Sequence, residues 1–296
     1  MHIPVLLHEA IDGLNMKSGD IFVDGTLGGG GHIEEVAKRF GNTVVMIGID
    51  LDPQAISRTK ARLANLNLNV HYTEGSFRNI DVILNNLGFT KIDKILLDIG
   101  LSSNQFEESG RGFSFQKNEP LIMSFKETLT EGDLTAREIV NTWDEENIKT
   151  ILEGYGEEKF AYKIAQAIVK SRQIKPIERT FELVEIIKSA TPTFYHHRKI
   201  HPATKTFQAL RIRVNDEIES LREGITKGFE LLNLNGRLAV ISFHSLEDRL
   251  VKIFFKDKYT KGQARIVTKK PIIPTDEEIE SNPRSRSAKL RILEKN

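Results

Sequence analysis

The stretch Ile21-Phe-Val-Asp-Gly-Thr-Leu-Gly-Gly-Gly-Gly-His32 decides how the rest of the chain is read. A short apolar run ends in an acid and is followed by five glycines in seven residues. Glycine reaches φ > 0 at little steric cost and lets a ligand approach the main chain closely, so a glycine cluster behind a buried strand reads as a cofactor cradle. A helix from about Ile33 to Phe40 would aim its first amides at that loop. The dinucleotide fingerprint G-x-G-x-x-G fits no register of these glycines, because Leu27, Ile33 and Glu34 fall where glycine is required. A phosphate-gripping G-x-x-x-x-G-K-[ST] fails as well, since no lysine follows the glycines.

Working outward, Leu6 to Leu14 has apolar residues at helical spacing and predicts a leading helix beside the loop. Thr43 to Asp50 is too apolar for a surface strand and predicts a central parallel one ending in an acid. Pro53 opens a helix to about Ala64, and Asn69 to Tyr72 predicts a third strand that leads to Phe77. Lys91 to Asp98 is a fourth strand, again ending in an acid, followed by Ile-Gly-Leu-Ser-Ser-Asn-Gln105. Strands alternating with helices in this way predict an α/β fold, a Rossmann-like, doubly wound sheet rich in parallel strands, with ligands at the carboxyl ends of its strands. Asp50 lies roughly twenty residues beyond the glycines, the spacing of a carboxylate that accepts ribose hydroxyls.

From Glu107 to Glu131 the chain is irregular, and helical segments follow near 135–142, 145–153, 158–171 and 181–189. One long helix is expected from Ala203 to about Leu232, then a fifth strand from Arg237 to Phe243. Residues 264–268 and 288–293 predict a terminal hairpin. The expected organisation is a Rossmann-like sheet domain of residues 1–105 and 215–296, interrupted by an all-helical, substrate-binding insert of residues 106–214.

The formal charge of +1 over 296 residues announces no polyanion partner, yet it hides a bias. Between Lys159 and Arg213 twelve Lys or Arg stand against three Glu, with His196, His197 and His201 in addition. A basic helical face of this kind suits a phosphate backbone. Cysteine is absent, which excludes disulfides and thiolate metal sites and fits a reducing, cytoplasmic setting. No window approaches eighteen uncharged apolar residues, so neither a membrane span nor a membrane partner is expected.

A glycine loop, an acid after the second strand and a polar loop after the fourth are together the arrangement of an S-adenosylmethionine-dependent methyltransferase. The wider pattern resembles the bacterial ribosomal RNA small subunit methyltransferase H family. The likeness runs through His2-Ile-Pro-Val-Leu-Leu-His-Glu9, Asp24-Gly-Thr26 with Gly30-Gly-His32, Asp52-Pro-Gln-Ala55 and Leu97-Asp-Ile-Gly-Leu-Ser-Ser103. It continues through Arg111-Gly-Phe-Ser-Phe115, Tyr155-Gly-Glu-Glu158, His201-Pro-Ala-Thr-Lys-Thr-Phe-Gln-Ala-Leu-Arg211, Ser242-Phe-His-Ser-Leu-Glu-Asp-Arg249 and Asn282-Pro-Arg-Ser-Arg-Ser287.

The resemblance implies a class I fold with a helical insert, S-adenosylmethionine as cofactor, and methylation of the exocyclic N4 of a cytosine in the decoding centre of small-subunit (16S) rRNA. It implies cofactor contacts at Asp24, Gly30, Gly31, His32, Asp50, Phe77, Asp98 and Gln105. Asp98, Ser102 and Ser103 are the candidates for positioning the acceptor amine, and Lys205, Arg211, His201, Arg284 and Arg286 for holding the RNA of the small ribosomal subunit. The chain departs from the family at Asn104, where proline is usual, and at Ile122 and Ser124, where an acid and a base are usual.

Plainer readings compete at several of these residues. His244, Ser245 and Asp248 suggest a hydrolase, but without a G-x-S-x-G elbow Ser245 and Asp248 read as a helix cap. His196, His197 and His201 sit among Lys and Arg beside Pro202 and read as an RNA-facing or solvated loop, so no metal is expected. Trp143 reads as core. Two other functions remain open at this level: methylation of another nucleic acid or a small-molecule amine, and a non-catalytic RNA-binding relative.

Overall fold

A computed structural model describes residues 4–66, 68–100 and 109–296. The chain folds as two units, Met1–Gly100 with Ile218–Asn296, and Leu101–Glu217.

The first unit is built on seven strands, β1 (Ile21–Asp24), β2 (Val45–Asp50), β3 (Val70–Glu74), β4 (Ile92–Asp98), β5 (Leu232–Ser242), β6 (Ala264–Ile266) and β7 (Lys289–Lys295). Their order is β3-β2-β1-β4-β5-β7-β6. The first five run parallel, and β7 is antiparallel to both β5 and β6. Because a strand's side chains alternate between faces, both faces of a buried sheet must be apolar. On one face Phe22, Met46 and Leu96 pack on α1 (Leu7–Leu14), α2 (Gly31–Phe40) and α3 (Pro53–Leu63). On the other, Val23, Ile47, Ile95 and Leu97 pack on α4 (Ile80–Asn86) and on two helices of the chain's last third. The chain therefore winds outward through β2 and β3, then crosses faces and returns to β4 on the far side of β1. The strand order reverses between β1 and β4, where a doubly wound sheet opens a crevice at its carboxyl edge.

The second unit is helical, with α5 (Ala136–Thr142), α6 (Glu145–Gly154), α7 (Ala161–Arg172), α8 (Thr180–Ala190), the short α9 (Thr193–His196) and α10 (Thr204–Asn215) around a core that includes Ile139, Ile148, Ile164, Leu183 and Phe207. Ser124, in the family-divergent segment, is buried here, and its Oγ accepts the Lys126 N–H at 3.2 Å.

Three local expectations fail for identifiable reasons. The long helix from Ala203 is two, α10 and α11 (Glu217–Leu231), because Asp216 takes a left-handed conformation at φ 49°. Asn215 turns its side chain back instead, accepting from Phe125 N at 2.7 Å and donating to Met123 O at 2.7 Å. Arg211 clamps Glu217 across the break at 2.8 and 2.9 Å. These ties hold residues up to 217 to the helical unit, whose limits of 101 and 217 differ from the expected 106 and 214. Strand β5 begins at Leu232, five residues early, with Asn235 at φ 63° and a register break opposite Ile92 and Lys94. Finally, the helix after β5, α12 (Ser245–Thr260), is capped by His244, not Ser245. Glu247 accepts from the Phe243 and His244 N–H groups at 2.8 and 3.1 Å, completing a reciprocal box.

Asp248 is thereby released from capping and binds Arg291 at 2.6 Å and Lys289 at 3.2 Å. Asp248→Ala leaves the Arg291 guanidinium buried without its carboxylate and should cost about 3 kcal/mol in urea unfolding. Asp248→Leu combined with Arg291→Met should recover most of that loss, and a single variant indistinguishable from wild type contradicts the assignment.

Candidate functional site

Strand register brings three acids to the reversal point. Asp24 pairs with Gly48 on one side and Leu96 on the other. Asp50 and Asp98 lie two residues further along β2 and β4, so all three share the face of Phe22, Met46 and Leu96. The glycine loop spans the gap. Gly28 N donates to Asp50 Oδ2 at 2.6 Å, and Asp52 N donates to Oδ1 of the same carboxylate at 2.8 Å. Thr26 N donates to Asp24 Oδ1 at 3.1 Å, while Thr26 Oγ1 accepts from Asp98 N at 2.6 Å. One threonine thus couples the first and fourth strand ends.

The glycines divide the work. A Cβ on Gly30, at φ 70°, would lie 2.3 Å from Thr59 Cγ2, and one on Gly31 would lie 2.1 Å from Pro4 Cγ. These two are small because neighbouring segments press on α2 at its N-terminus. Over Gly28 the nearest atom to such a Cβ is the Thr26 carbonyl at 3.7 Å, so the loop is open there. His32 is buried in the first turn of α2. Phe77 sits beside the loop, its Cβ 3.2 Å from where a Gly25 Cβ would be, but its ring packs against Gly224 of α11. Phe77 thus lies beside the glycine loop with its ring against α11. Ser102, Ser103, Asn104 and Gln105 lie outside the described residues.

Burial dominates the electrostatics. It pushes the Asp24 carboxyl up to about 7, with a further rise from the negative charges of Asp98 and Asp50, against the opposing Thr26 N–H. Burial also pushes Asp98 up to about 7, aided by Glu247 and opposed by the Gly100 N–H. Asp50 is raised by burial too, with the Asp52 and Gly28 N–H groups pulling the other way. Asp24 Oδ2 and Asp98 Oδ1 are buried and have no hydrogen-bond partner among the described residues. A crevice lined by repelling carboxyls with orphaned acceptors wants a cationic ligand with N–H and O–H donors. S-adenosylmethionine offers an ammonium, a sulfonium and ribose hydroxyls, and the residues present fit it.

The expected RNA-binding residues are placed less uniformly. Lys205 Nζ donates to Glu157 O at 2.6 Å, and Arg211 is held by Glu217. His201 stacks on Phe115 with ring centroids 4.4 Å apart, and burial, with Lys188 and His196 adding to it, lowers its pKa. Arg284 and Arg286 occupy a tight turn, Pro283–Ser287, in the sheet unit. Several of the twelve cations are internal braces: Arg172 donates to Val140 O and Trp143 O, and Arg179 donates to Asn118 O. The exposed ones include Lys159, Lys163, Lys170, Arg198 and Lys199. Trp143, read as core, does pack against the helical core, and it also lines a cavity of about 660 Å³ with Tyr155 and Asn147. The Arg213 guanidinium lies over the Trp143 ring at 5.1 Å. A helix-terminal Trp has no distinguishing sequence signal, so this pocket could be found only in three dimensions.

The model of the MraW methylase family matches residues 1–296. The chain belongs to the MraW methylase family. The ribosomal RNA small subunit methyltransferase H of Clostridium botulinum (strain Kyoto / Type A2) is 47% identical, with 99% of this chain and 98% of the relative covered. Its namesakes in Heliobacterium modesticaldum and Brevibacillus brevis are 44% and 42% identical, again over 99% of this chain and 98% of theirs. Among solved structures, TrmN from Thermus thermophilus aligns with a TM-score of 0.46 at 10% identity, covering 98% of this chain and 48% of that one. The cofactor of this methylase is S-adenosylmethionine.

The raised carboxyls fix a sign for pH dependence. Their folded pKa values exceed the unfolded ones, so the contribution of these two groups to the stability of the free protein falls as pH rises from about 4 to 7. Positive charge in the crevice favours their ionised forms, so cofactor affinity should rise from pH 5.5 to 8 with net proton release near neutrality. Calorimetry in buffers of different ionisation enthalpy measures both. Asp24→Asn should weaken binding roughly tenfold or more and reduce the proton release; a pH-independent affinity contradicts the site.

Proposed function

We propose that this methylase transfers the methyl group of S-adenosylmethionine to the exocyclic N4 of a cytosine in the decoding centre of small-subunit ribosomal RNA. The observation that carries the reading is an acid-lined cradle with every strand-end carboxylate present, in a chain whose relatives along its whole length are named small-subunit ribosomal RNA methyltransferases. An exposed set of cations on the helical unit supports an RNA acceptor, and a small-molecule acceptor would leave that surface without a role.

When bound, the cofactor supplies an activated methyl on its sulfonium. The protein's task is the acceptor, because the lone pair of a cytosine amine is delocalised into the ring and must be turned toward the methyl. Asp98 suits this work: its Oδ1 has no hydrogen-bond partner among the described residues and can accept an amine N–H, while its backbone is fixed through Thr26. As the carboxylate, the form that a bound sulfonium favours, Asp98 can take up the proton that the amine must lose. The Ser102 and Ser103 hydroxyls and the backbone carbonyls after β4 complete the acceptor set, and Asp24 and Asp50 hold the cofactor. To reach them the base must be unstacked from folded RNA at a cost of roughly a few kcal/mol, which contacts to flanking phosphates offset.

Labelled-methyl transfer to small ribosomal subunits, followed by mass spectrometry of the nucleosides, tests the assignment. N4-methylated cytidine in the subunit RNA is expected, with no label in naked DNA. Label in another nucleoside, or preferential labelling of DNA, refutes it. Ser102→Ala with Ser103→Ala should lower turnover far more than cofactor affinity, and RNA affinity should fall steeply with salt.

A further inference from the structure

The segment Phe194-Tyr-His-His-Arg-Lys-Ile200 carries a surface that neither the cofactor crevice nor the core explains. Phe194 is 59% exposed and Ile200 58% exposed, and Tyr162 on α7 is 53% exposed. Burying one such aromatic ring normally contributes to folding, so leaving it in water needs a reason. The surface is also rigidly built. Tyr195, 6% exposed, points inward and donates its hydroxyl to buried Glu158, with 2.8 Å to Oε2 and 3.1 Å to Oε1. Glu158 Oε1 also accepts the Phe160 N–H at 2.9 Å. The Phe160 ring meets Tyr195 edge-on at 4.9 Å and Phe194 at 6.3 Å. With Tyr195 held inward by Glu158 and Phe160, the neighbouring Phe194 is left exposed.

Over this pair lies the Arg198 guanidinium, 5.1 Å from the Tyr195 centroid and 5.7 Å from that of Phe194. Arg198, His197 and Lys199 are exposed, as are Lys159 and Lys163 on either side of Phe160 in sequence. From Ile186 to Asn215 the chain contains no Asp or Glu. An exposed ring with a guanidinium plane beside it, among cations and without a local acid, has the chemistry of a stacking site for a base whose phosphates are held alongside.

We propose that Phe194 and Arg198 form a stacking platform for an unpaired nucleobase of single-stranded RNA, with Lys199 and Lys159 on its phosphates. This rests on the reading that the acceptor is RNA and names where a nucleotide other than the methylated one is gripped. Stacking is indifferent to base identity, so the platform selects single-stranded over duplex RNA and not one sequence over another.

Fluorescence anisotropy of the full chain with a labelled oligouridylate, and with duplex RNA of equal length, tests this across a salt series. Phe194→Ala should weaken single-strand binding about tenfold and leave duplex binding and the salt slope unchanged, with Phe194→Tyr retaining affinity. Arg198→Ala should weaken single-strand binding, and Lys199→Ala should reduce the salt slope by about 0.7, the value for one lost phosphate contact on a single strand. Melting temperature and S-adenosylmethionine affinity should stay as in wild type, which separates loss of the platform from loss of the fold. The proposal is overturned if wild type binds neither RNA, if Phe194→Ala binds the single strand like wild type, or if it loses both RNAs equally. It is also overturned if the variant keeps RNA affinity yet raises KM for assembled subunits, which assigns the surface to a protein partner. Methyl transfer by the same wild-type preparation reads out the functional assignment separately. Transfer to subunits with an unaffected Phe194→Ala sinks the platform alone, whereas absent transfer with a weakened Phe194→Ala sinks the assignment alone.

Discussion

Desolvation of carboxylates at one edge of the sheet is the constraint on which the rest of this structure depends. Burying a carboxyl without a counter-charge is unfavourable, and here two of them, Asp24 and Asp98, are held near neutral pKa values within one crevice. Such an arrangement persists only when the surrounding fold imposes it. The parallel pairing of β1 with β2 and β4 fixes the three acids by register, and the reversal of strand order keeps the space beyond them open. The glycine loop then fills the near side of that space with backbone, clamped by the Gly28 to Asp50 hydrogen bond. The stability forgone in the free protein becomes binding selectivity for a cation.

Much of this was legible in the sequence because the signals are local. Apolar runs ending at Asp24, Asp50 and Asp98 announce buried parallel strands, and the failure of dinucleotide spacing narrows what the glycines hold. Register did the rest without further information, since strand ends in a doubly wound sheet meet at one edge. The roles of individual glycines were not legible. Gly30 and Gly31 look like ligand contacts in sequence, yet the positions of Thr59 and Pro4 show that packing demands them as well.

What escaped sequence reading depends on long-range pairing. The break at Asp216 arises because Asn215 satisfies the backbone of residues 123 and 125, ninety residues away along the chain, and helical periodicity is blind to that. The same holds for charge. Twelve cations between Lys159 and Arg213 suggested one uniform basic face, but Arg172, Arg179, Lys205 and Arg211 are tied to other groups of the helical unit. The electrostatic surface is smaller and more localised than composition implies. One exposed member, Arg198, lies over the Phe194 and Tyr195 rings, which Phe160 meets edge-on.

Two tasks are thereby separated in one chain. The sheet unit holds charge that a sulfonium cofactor relieves, and the helical unit presents charge and rings that suit nucleic acid. The central claim is that Asp24 and Asp98 are poised as weak acids until a cation arrives. Carbon-13 NMR titration of the aspartate side-chain carboxyls, with Asp24→Asn and Asp98→Asn to assign the resonances, measures this directly. The account predicts midpoints near 7 in the free protein that move well down into the acid range when S-adenosylmethionine is bound. Two carboxyls already ionised at pH 5 in the free protein, or midpoints unmoved by the cofactor, would contradict it.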